Sequence, residues 1–425
     1  MLRRAFAHPF VRKVSVLGRG IGLAYTLQFL STPFLGWLYT PAEMGLYGVF
    51  LAFVSLLTMA APLRYDVSIL AANSERESWL LSITSFLATL VMSPLLVAGV
   101  LVLTRYQVLG LSELSLWVVA LMLPTVALGA WMECSRYTTL KADAFGRLSS
   151  AIVAQSVGRV TVQLGLGALG LGAAGLLLGE MAAKLAGCLW LMPALWKSFR
   201  QSAPEVTALA LRQAAGAHRR SPLVLLPSSL IDLLALSLTI PLVTMRFGAD
   251  AAGNLSFVQR LVAGPLAVAS ASVADALHSE ASKLRLEAPE RLWGMFRGIS
   301  LRLFLLGLVP TLILVLLGPW LFQTLFGARW ATAGQLSVVL APLVLCQFVV
   351  VPLSRLVFVL QGQRLKLFYD VGSLVLLLAV FSPQLFPQAS FESTIGLYVL
   401  VNCAAYGLYF AGIGWLTRRA VGAGA

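Results

Sequence analysis

Six arginines of this chain lie in stretches that are otherwise apolar enough to cross a lipid bilayer. A guanidinium keeps its charge when partly dehydrated, and its planar fork binds two oxygens of one phosphate or carboxylate. A charge near the bilayer centre costs at least about 2.5 to 3.5 kcal/mol on insertion scales, so such residues often mark a substrate pathway. We predict that the following arginines bind an anionic substrate: Arg19, Arg64, Arg159, Arg260, Arg302 and Arg355.

Four further charged residues in these stretches are candidates for ion coupling or gating: Asp66, Asp232, Glu180 and Lys184. Asp232 lies about ten residues inside its stretch, where a carboxylate needs a proton, a cation or a basic partner. Glu180 precedes Lys184 by four residues, the spacing of an intrahelical ion pair, so mutual neutralisation is the alternative for these two. The pattern suggests coupling to a Na⁺ or H⁺ gradient. It predicts no catalytic residue, no bound cofactor and no metal site.

Depth in the bilayer divides the arginines into two groups. Arg159 and Arg260 lie about nine to twelve residues inside their stretches, which is too deep for easy snorkelling at 1.5 Å per residue. Neither has an acid three or four residues away, so we expect both to line a polar cavity. The other arginines and Asp66 lie within about two turns of a helix end, where side chains reach the headgroups. Interfacial anchoring is therefore an alternative to substrate binding for these residues.

The composition indicates that membrane-spanning helices position these charges. The 425 residues are 59% hydrophobic and 11% charged, with a mean hydropathy of +0.87, whereas a soluble domain is about one quarter charged. An all-α polytopic membrane protein is predicted, because about 20 helical residues cross the hydrocarbon. We predict about twelve transmembrane helices, at 14–39, 45–72, 79–104, 114–135, 148–170, 172–196, 222–245, 252–277, 299–321, 333–360, 365–386 and 393–416.

The chain resembles itself weakly when it is shifted by about half its length. A shift of 253 − 45 = 208 residues places Gly45 over Gly253 and Pro33 over Pro241, each pair near a turn between two predicted helices. Such a parallel repeat predicts two six-helix lobes around a central cleft, as in transporters that open alternately to each side. The N-terminal lobe is assigned to 1–197, the cytoplasmic linker to 198–221 and the C-terminal lobe to 222–425.

The distribution of lysine and arginine predicts the orientation in the membrane. If the N-terminus is cytoplasmic, most of the 31 basic residues fall in cytoplasmic loops, and only Arg105, Arg246 and Arg329 fall in outside loops. This asymmetry follows the positive-inside rule and predicts that both termini are cytoplasmic. It also explains the net charge of +14 without nucleic acid, because the basic residues are spread over several short segments.

Two local motifs carry a resemblance to a known family. After the first predicted helix stands "YTPAEMG" and late in the second stands "LRYD". The chain resembles the Wzx-like oligosaccharide flippases of the multidrug/oligosaccharidyl-lipid/polysaccharide (MOP) exporter superfamily, which carry Y-[ST]-P-x-[ED]-x-G and L-R-Y-[ED] at these places. The matching residues are Tyr39, Thr40, Pro41, Glu43 and Gly45, then Leu63, Arg64, Tyr65 and Asp66. Trp37 departs from the family pattern, which often has arginine before the turn.

The resemblance implies a non-enzymatic function in the inner membrane of a bacterium. Such proteins move polyprenyl-diphosphate-linked oligosaccharide from the cytoplasmic to the periplasmic leaflet by alternating access. The product feeds assembly of lipopolysaccharide O-antigen, capsule or exopolysaccharide. The implied partners are the lipid-linked oligosaccharide, membrane lipids, a polysaccharide polymerase and the chain-length machinery.

Two other function classes remain as alternatives. An ion-coupled drug exporter of the same superfamily would use a buried acid such as Asp232, but the surplus of membrane arginine disfavours cationic drugs. A membrane-embedded glycan polymerase or ligase would need larger outside loops to hold two substrates. The sequence contains no Walker A motif, which leaves direct ATP hydrolysis without support.

Overall fold

The computed structural model describes the backbone of residues 9–106, 109–202 and 206–422. Within the helices, the structure describes all side chains except those of residues 9–14, 194, 195, 197–199, 201, 202, 263–272, 275, 276, 279 and 422. The two predicted cytoplasmic termini, 1–8 and 423–425, lie outside the described residues. The chain forms two compact units, Met1–Gly253 and Asn254–Ala425. The division into lobes at 198–221 remains a prediction.

The first unit is built from helices that pack both on sequence neighbours and on helices far away in the sequence. Helix α1 packs against α6, α6 against α7, and α5 against α2, α4 and α7. The helices are α1 Pro9–Leu38, α2 Pro41–Ala60, α3 Tyr65–Ser68, α4 Glu75–Thr104, α5 Leu116–Lys141, α6 Phe145–Ala168, α7 Ala173–Ser202, α8 Ala208–Ala217 and α9 Leu226–Ser237, followed by the first part of α10 Thr239–Glu287. Short 3₁₀ turns lie at Ile69–Ala71 and Leu111–Glu113, and a π-helical turn at Ser221–Leu225.

The second unit contains the rest of α10 and the C-terminal helices. Helices α11 and α15 both pack against α12, and α14 packs against α15. Its core includes a stacked pair, Phe257 and Trp330, with ring centroids 4.0 Å apart. The helices are α11 Leu292–Phe326, α12 Ala331–Leu353, α13 Arg355–Val359, α14 Gln363–Phe381 and α15 Phe391–Gly422, with 3₁₀ turns at Pro289–Arg291 and Ala328–Trp330.

Eight helical segments of the described chain are long and apolar enough to cross a membrane: Pro41–Ala60, Glu75–Thr104, Leu116–Lys141, Ala173–Pro193, Ser221–Val262, Pro289–Phe326, Ala328–Val359 and Phe391–Val421. The predicted spans 14–39, 148–170 and 365–386 are also helical, up to Leu38, Ala168 and Phe381, with charges such as Arg19, Arg159 and Asp370 in them. The predicted span 252–277 lies within α10. The described residues contain no strand, so the all-α, multi-pass membrane fold is confirmed, and about twelve spans fit these helices.

The predicted second span, 45–72, is not one helix. Helix α2 ends at Ala60, and the backbone then takes left-handed conformations at Leu63 and Arg64, with φ of 52° and 61°. Pro62 explains the break, because proline lacks the N–H that would continue the helix. Two successive left-handed residues other than glycine cost about 1 to 3 kcal/mol each, and such strain is common at functional sites. Arg64 therefore lies in a strained turn beyond the spanning helix, and Asp66 lies in the short helix α3 that follows it.

The predicted linker contains an amphipathic helix. Thr207 caps the start of α8, its Oγ1 accepting a bond of 3.2 Å from the N–H of Ala210. Ala210 and Ala214 are buried in a cluster with Tyr65, Leu80 and Leu81. The following residues are fixed as well, because His218 Nε2 lies 2.9 Å from Glu77 Oε1 and the hydroxyls of Ser68 and Ser221 are 2.5 Å apart. Helix α8 is thus part of the first unit.

A turn interrupts α10 between the predicted spans 222–245 and 252–277. Gly248 has φ 86° and ψ 172°, a conformation that is essentially limited to glycine. The chain re-enters the helix directly, and Gly253 then approaches the first turns of α2. The predicted turn between these two spans is therefore present.

Candidate functional site

A cluster of three charged side chains lies in the first unit between α6 and α7. The guanidinium of Arg159 faces the carboxylate of Glu180, with Nε 2.9 Å from Oε2 and Nη2 3.0 Å from Oε1. Lys184 Nζ lies 3.5 Å from Glu180 Oε1. The predicted intrahelical pair Glu180 and Lys184 is therefore present, and Arg159 joins it from the neighbouring helix. We call these three residues the charged triad.

Polar residues of α1 and α2 complete the surroundings of the charged triad. Arg159 Nη1 donates to Gln28 Oε1 at 2.9 Å, and the Tyr47 hydroxyl donates to Glu180 Oε2 at 3.2 Å. Gln28 is held in turn, because its Nε2 donates to the Ser156 hydroxyl at 3.1 Å. Four helices thus contribute to one polar network at the depth where the sequence predicts a cavity.

The charged triad has one more positive charge than it has negative charges. The side chain of Glu180 is 2% exposed, whereas those of Arg159 and Lys184 are 19% and 23% exposed. The carboxylate is therefore enclosed by its partners, and the two cations each retain an accessible face. Such an arrangement can bind an anionic group, because the buried acid is already satisfied and the surplus charge is positive.

The turn before α2 explains the "YTPAEMG" motif in structural terms. The buried Tyr39 hydroxyl donates to the carbonyl of Gln163 at 2.5 Å, which attaches the turn to α6. Thr40 and Glu43 form a capping box, and Pro41 occupies the first turn of α2. Gly45 lies against the backbone of Ala249. The motif fixes the position of α2, and with it the position of Tyr47 beside Glu180.

A second charged pair follows the break after α2. Arg64 Nη1 lies 4.0 Å from Asp66 Oδ2, and the Asp66 side chain is 2% exposed. Asp66 Oδ1 has no hydrogen-bond partner among the described residues. The pair lies outside the spanning helices. There burial raises the pKa of Asp66 to about 6, although the Arg64 guanidinium opposes this rise. Asp66 can therefore change its protonation state near neutral pH.

The other predicted site residues occupy separate positions. Arg19, Arg302 and Arg355 have exposed side chains on α1, α11 and α13. Arg302 lies among exposed apolar residues such as Leu301 and Leu305, which is the environment of a lipid-facing anchor. Arg260 is half-buried on α10, and Asp232 is exposed on α9. The structure joins Arg159 with Glu180 and Lys184, and Arg64 with Asp66; binding and coupling roles remain predictions.

Gln28 and Tyr47, which contact the charged triad, were not predicted from the sequence. A signal for Gln28 is present in α1, where Tyr25, Gln28 and Thr32 recur at the spacing of one helix face. Tyr47 has no comparable signal, because it lies in an apolar stretch and resembles an ordinary packed aromatic. Only the folded structure brings its hydroxyl to Glu180.

The similarity of this chain to known proteins lies in its fold. No protein-family model matches the chain, and no curated protein sequence matches it. An inward-facing multidrug resistance MATE family transporter of the MOP superfamily matches with a TM-score of 0.66 and 14% identity, over 95% of this chain and 96% of that one. The chain has the fold of this membrane transporter.

Two further structures have a similar fold. The lipid II flippase MurJ in an inward closed conformation gives a TM-score of 0.69 at 10% identity, covering 93% of this chain and 86% of that one. The MATE multidrug transporter DinF-BH gives 0.54 at 16% identity, with 95% of each chain covered. Because drug transporters and a lipid flippase share this fold, the fold alone does not identify the substrate.

Proposed function

We propose that this protein is a flippase for a polyprenyl-diphosphate-linked oligosaccharide and that it belongs to the MOP superfamily as a Wzx-like member. The observation that carries the proposal is the surplus positive charge of the charged triad, where Arg159 and Lys184 each keep an accessible face beside an enclosed Glu180. A diphosphate offers several oxygens to a guanidinium and an ammonium group. The glycan travels with the diphosphate, and the polyprenyl chain stays in lipid.

The shared fold supports a transport function rather than catalysis. One similar structure is a lipid II flippase, and the others are multidrug transporters. The local motifs of the turn before α2 favour the oligosaccharide flippases among these. In this proposal the chain works in the bacterial inner membrane by alternating access. It delivers its product to a polysaccharide polymerase and the chain-length machinery for O-antigen, capsule or exopolysaccharide assembly.

Drug export is the second candidate, because drug transporters share the fold at similar coverage. It would place a cationic drug near an acid and use Asp232 for Na⁺ or H⁺ coupling. The enclosed Glu180 disfavours it, since Arg159 and Lys184 already compensate this carboxylate and would repel a cation.

Direct binding distinguishes the two candidates. Purified protein in nanodiscs is titrated with a polyprenyl diphosphate and, separately, with the cationic dye ethidium. We expect the diphosphate to bind, and Lys184→Gln to weaken its binding about tenfold or more, as for a charged hydrogen bond. Arg105→Gln, which removes a charge at a predicted outside turn, serves as the matched control. Tight binding of the dye without binding of the diphosphate would overturn the proposal.

A further inference from the structure

The side-chain amide of Gln28 joins α1 to the charged triad in a defined orientation. Its Oε1 accepts from Arg159 Nη1 at 2.9 Å. Its Nε2 donates to the Ser156 hydroxyl at 3.1 Å and to the carbonyl of Ala24 at 3.3 Å. The Ser156 hydroxyl donates its own hydrogen to the Ala24 carbonyl at 2.8 Å, so toward Gln28 it is an acceptor. The amide nitrogen therefore faces Ser156, and the amide oxygen faces Arg159.

The reversed orientation of this amide is unfavourable on both of its sides. It would place the amide oxygen against the carbonyl of Ala24, so that two acceptors meet. It would also place the NH₂ group against the guanidinium of Arg159, so that two donors meet. The contacts with Ala24 and Ser156 thus determine which atom of Gln28 reaches Arg159.

The guanidinium of Arg159 is held through both of its terminal nitrogens. Nη1 donates to Gln28, and Nη2 donates to Glu180 Oε1 at 3.0 Å. The hydroxyls of Tyr25 and Tyr47 lie nearby, and that of Tyr47 donates to Glu180. Because the guanidinium is planar, a contact at each terminal nitrogen fixes both its plane and its rotation. Without Gln28, Nη1 would keep no hydrogen bond to the described residues.

The fixed guanidinium still has donors for a ligand. Each terminal nitrogen of an arginine carries two N–H groups. The hydrogen bonds to Gln28 and Glu180 use one N–H on each of these nitrogens. The side chain of Arg159 is 19% exposed, so the group is not closed off by its partners. One N–H on each terminal nitrogen thus remains for the oxygens of an anionic group.

Gln28 provides its contact without changing the charge of the site. An acid at this position could also accept from Arg159, but it would balance the second of the two cations. The neutral amide instead leaves Arg159 and Lys184 with one surplus positive charge beside the enclosed Glu180. The site therefore combines an oriented guanidinium with a charge that remains available to an anion.

We propose that Gln28 is a positioning residue for substrate binding. It fixes the guanidinium of Arg159 so that the remaining N–H groups of both terminal nitrogens point at one diphosphate. Ser156 acts one step further away, because it orients the amide of Gln28. The inference rests on the proposed function, in which Arg159 binds the diphosphate of the lipid-linked substrate.

A binding experiment with a matched control tests this role. Purified protein in nanodiscs is titrated with a polyprenyl diphosphate. We expect Gln28→Met, which removes the acceptor and keeps a similar size, to weaken binding about tenfold, the scale of one hydrogen bond to a charged group. Gln155→Met should leave binding unchanged. Gln155 is half-buried one turn before Arg159 on α6, and its side chain lies beside Gly187 of α7.

Thermal unfolding of the same variants separates positioning from a structural role. Ser156→Ala leaves Gln28 and Arg159 in place but removes the hydroxyl that orients the amide, so we expect it to weaken binding in the same direction as Gln28→Met. If Gln28→Met lowers thermal stability while the folded protein binds the diphosphate as tightly as the wild type, Gln28 has only a structural role and the proposal is overturned. Equal weakening in Gln28→Met and Gln155→Met would overturn it as well.

Nuclear magnetic resonance of isotope-labelled arginine side chains tests the orientation of Arg159 without a ligand. The signals of Arg159 are identified by their loss in Arg159→Lys. We expect faster exchange between its two Nη signals in Gln28→Met than in the wild type, because rotation about the Cζ–Nε bond is less restricted. Unchanged exchange would overturn the proposal. Exchange that depends on Gln28 in a protein that binds no diphosphate would contradict the proposed function but support the positioning of Arg159 by Gln28.

Discussion

Gly45 and Gly253 meet at one helix crossing, and their contacts are reciprocal. A Cβ atom on Gly45 would lie 2.0 Å from the carbonyl oxygen of Ala249, and one on Gly253 would lie 1.7 Å from that of Pro41. Since 41 + 208 = 249 and 45 + 208 = 253, the same two positions of the sequence repeat supply both contacts. The first turns of α2 therefore contact the helix after Gly248, and the two helices are related locally by a twofold axis.

This crossing predicts that even a methyl group at Gly45 disturbs the protein. In Gly45→Ala the new Cβ atom must displace backbone, so we expect a cost of about 1 to 3 kcal/mol, as for overpacking, and a loss of transport. Gly99→Ala is the matched control, because a Cβ atom on Gly99 meets nothing within 4 Å. Thermal unfolding and transport are measured for both variants. Equal behaviour of the two would mean that the crossing is not required.

The charged triad predicts a separation of stability from binding. Arg159→Met leaves Glu180 without its main partner, and breaking a buried pair costs about 3 to 5 kcal/mol. Adding Glu180→Gln removes the unpaired charge, so the double variant should recover thermal stability. It should not recover binding of a polyprenyl diphosphate, because the guanidinium fork is still missing. Recovery of both properties together would assign Arg159 a purely structural role.

The raised pKa of Asp66 predicts a pH-dependent stability difference. An acid whose pKa is raised on folding favours the folded state when it is protonated, and this contribution is lost as the pH rises through about 6. The shift from 3.8 to about 6 corresponds to roughly 3 kcal/mol at most. Asp66→Asn should therefore be more stable than the wild type at pH 7.5. The difference in stability should shrink toward pH 5. Unfolding measurements at several pH values that show no such trend would contradict a raised pKa of Asp66.

Asp232 predicts a dependence of transport on an ion gradient. Asp232→Asn keeps the shape of the side chain and removes its charge, so substrate binding should persist while stimulation by an imposed Na⁺ or H⁺ gradient is lost. Asp250→Asn provides a control at another exposed acid of the first unit. Vesicles with imposed gradients measure the effect. Gradient-driven transport that is unchanged in Asp232→Asn would remove this residue from the mechanism.

Hydropathy and charge predicted the helical membrane fold because the bilayer leaves few alternatives for a backbone that must satisfy its own hydrogen bonds. The pairing of Glu180 with Lys184 followed from their spacing in one helix. The contact of Arg159 with Glu180 did not, since residues on different helices meet only after packing. The continuous hydropathy of 45–72 also concealed the break at Pro62, because a buried turn with Leu63 and Tyr65 has the same composition as a span.

We propose that the protein translocates a lipid-linked oligosaccharide, and a flipping assay in sealed proteoliposomes measures this translocation. A fluorescent polyprenyl-diphosphate oligosaccharide is placed in both leaflets, and a membrane-impermeant glycosidase is added outside. We expect that wild-type protein exposes nearly all of the substrate, that empty vesicles expose only the outer half, and that labelled phosphatidylcholine does not cross. Identical digestion in vesicles with and without the protein would show that it is not a flippase for this substrate, and equal transfer of phosphatidylcholine would show that it does not select it.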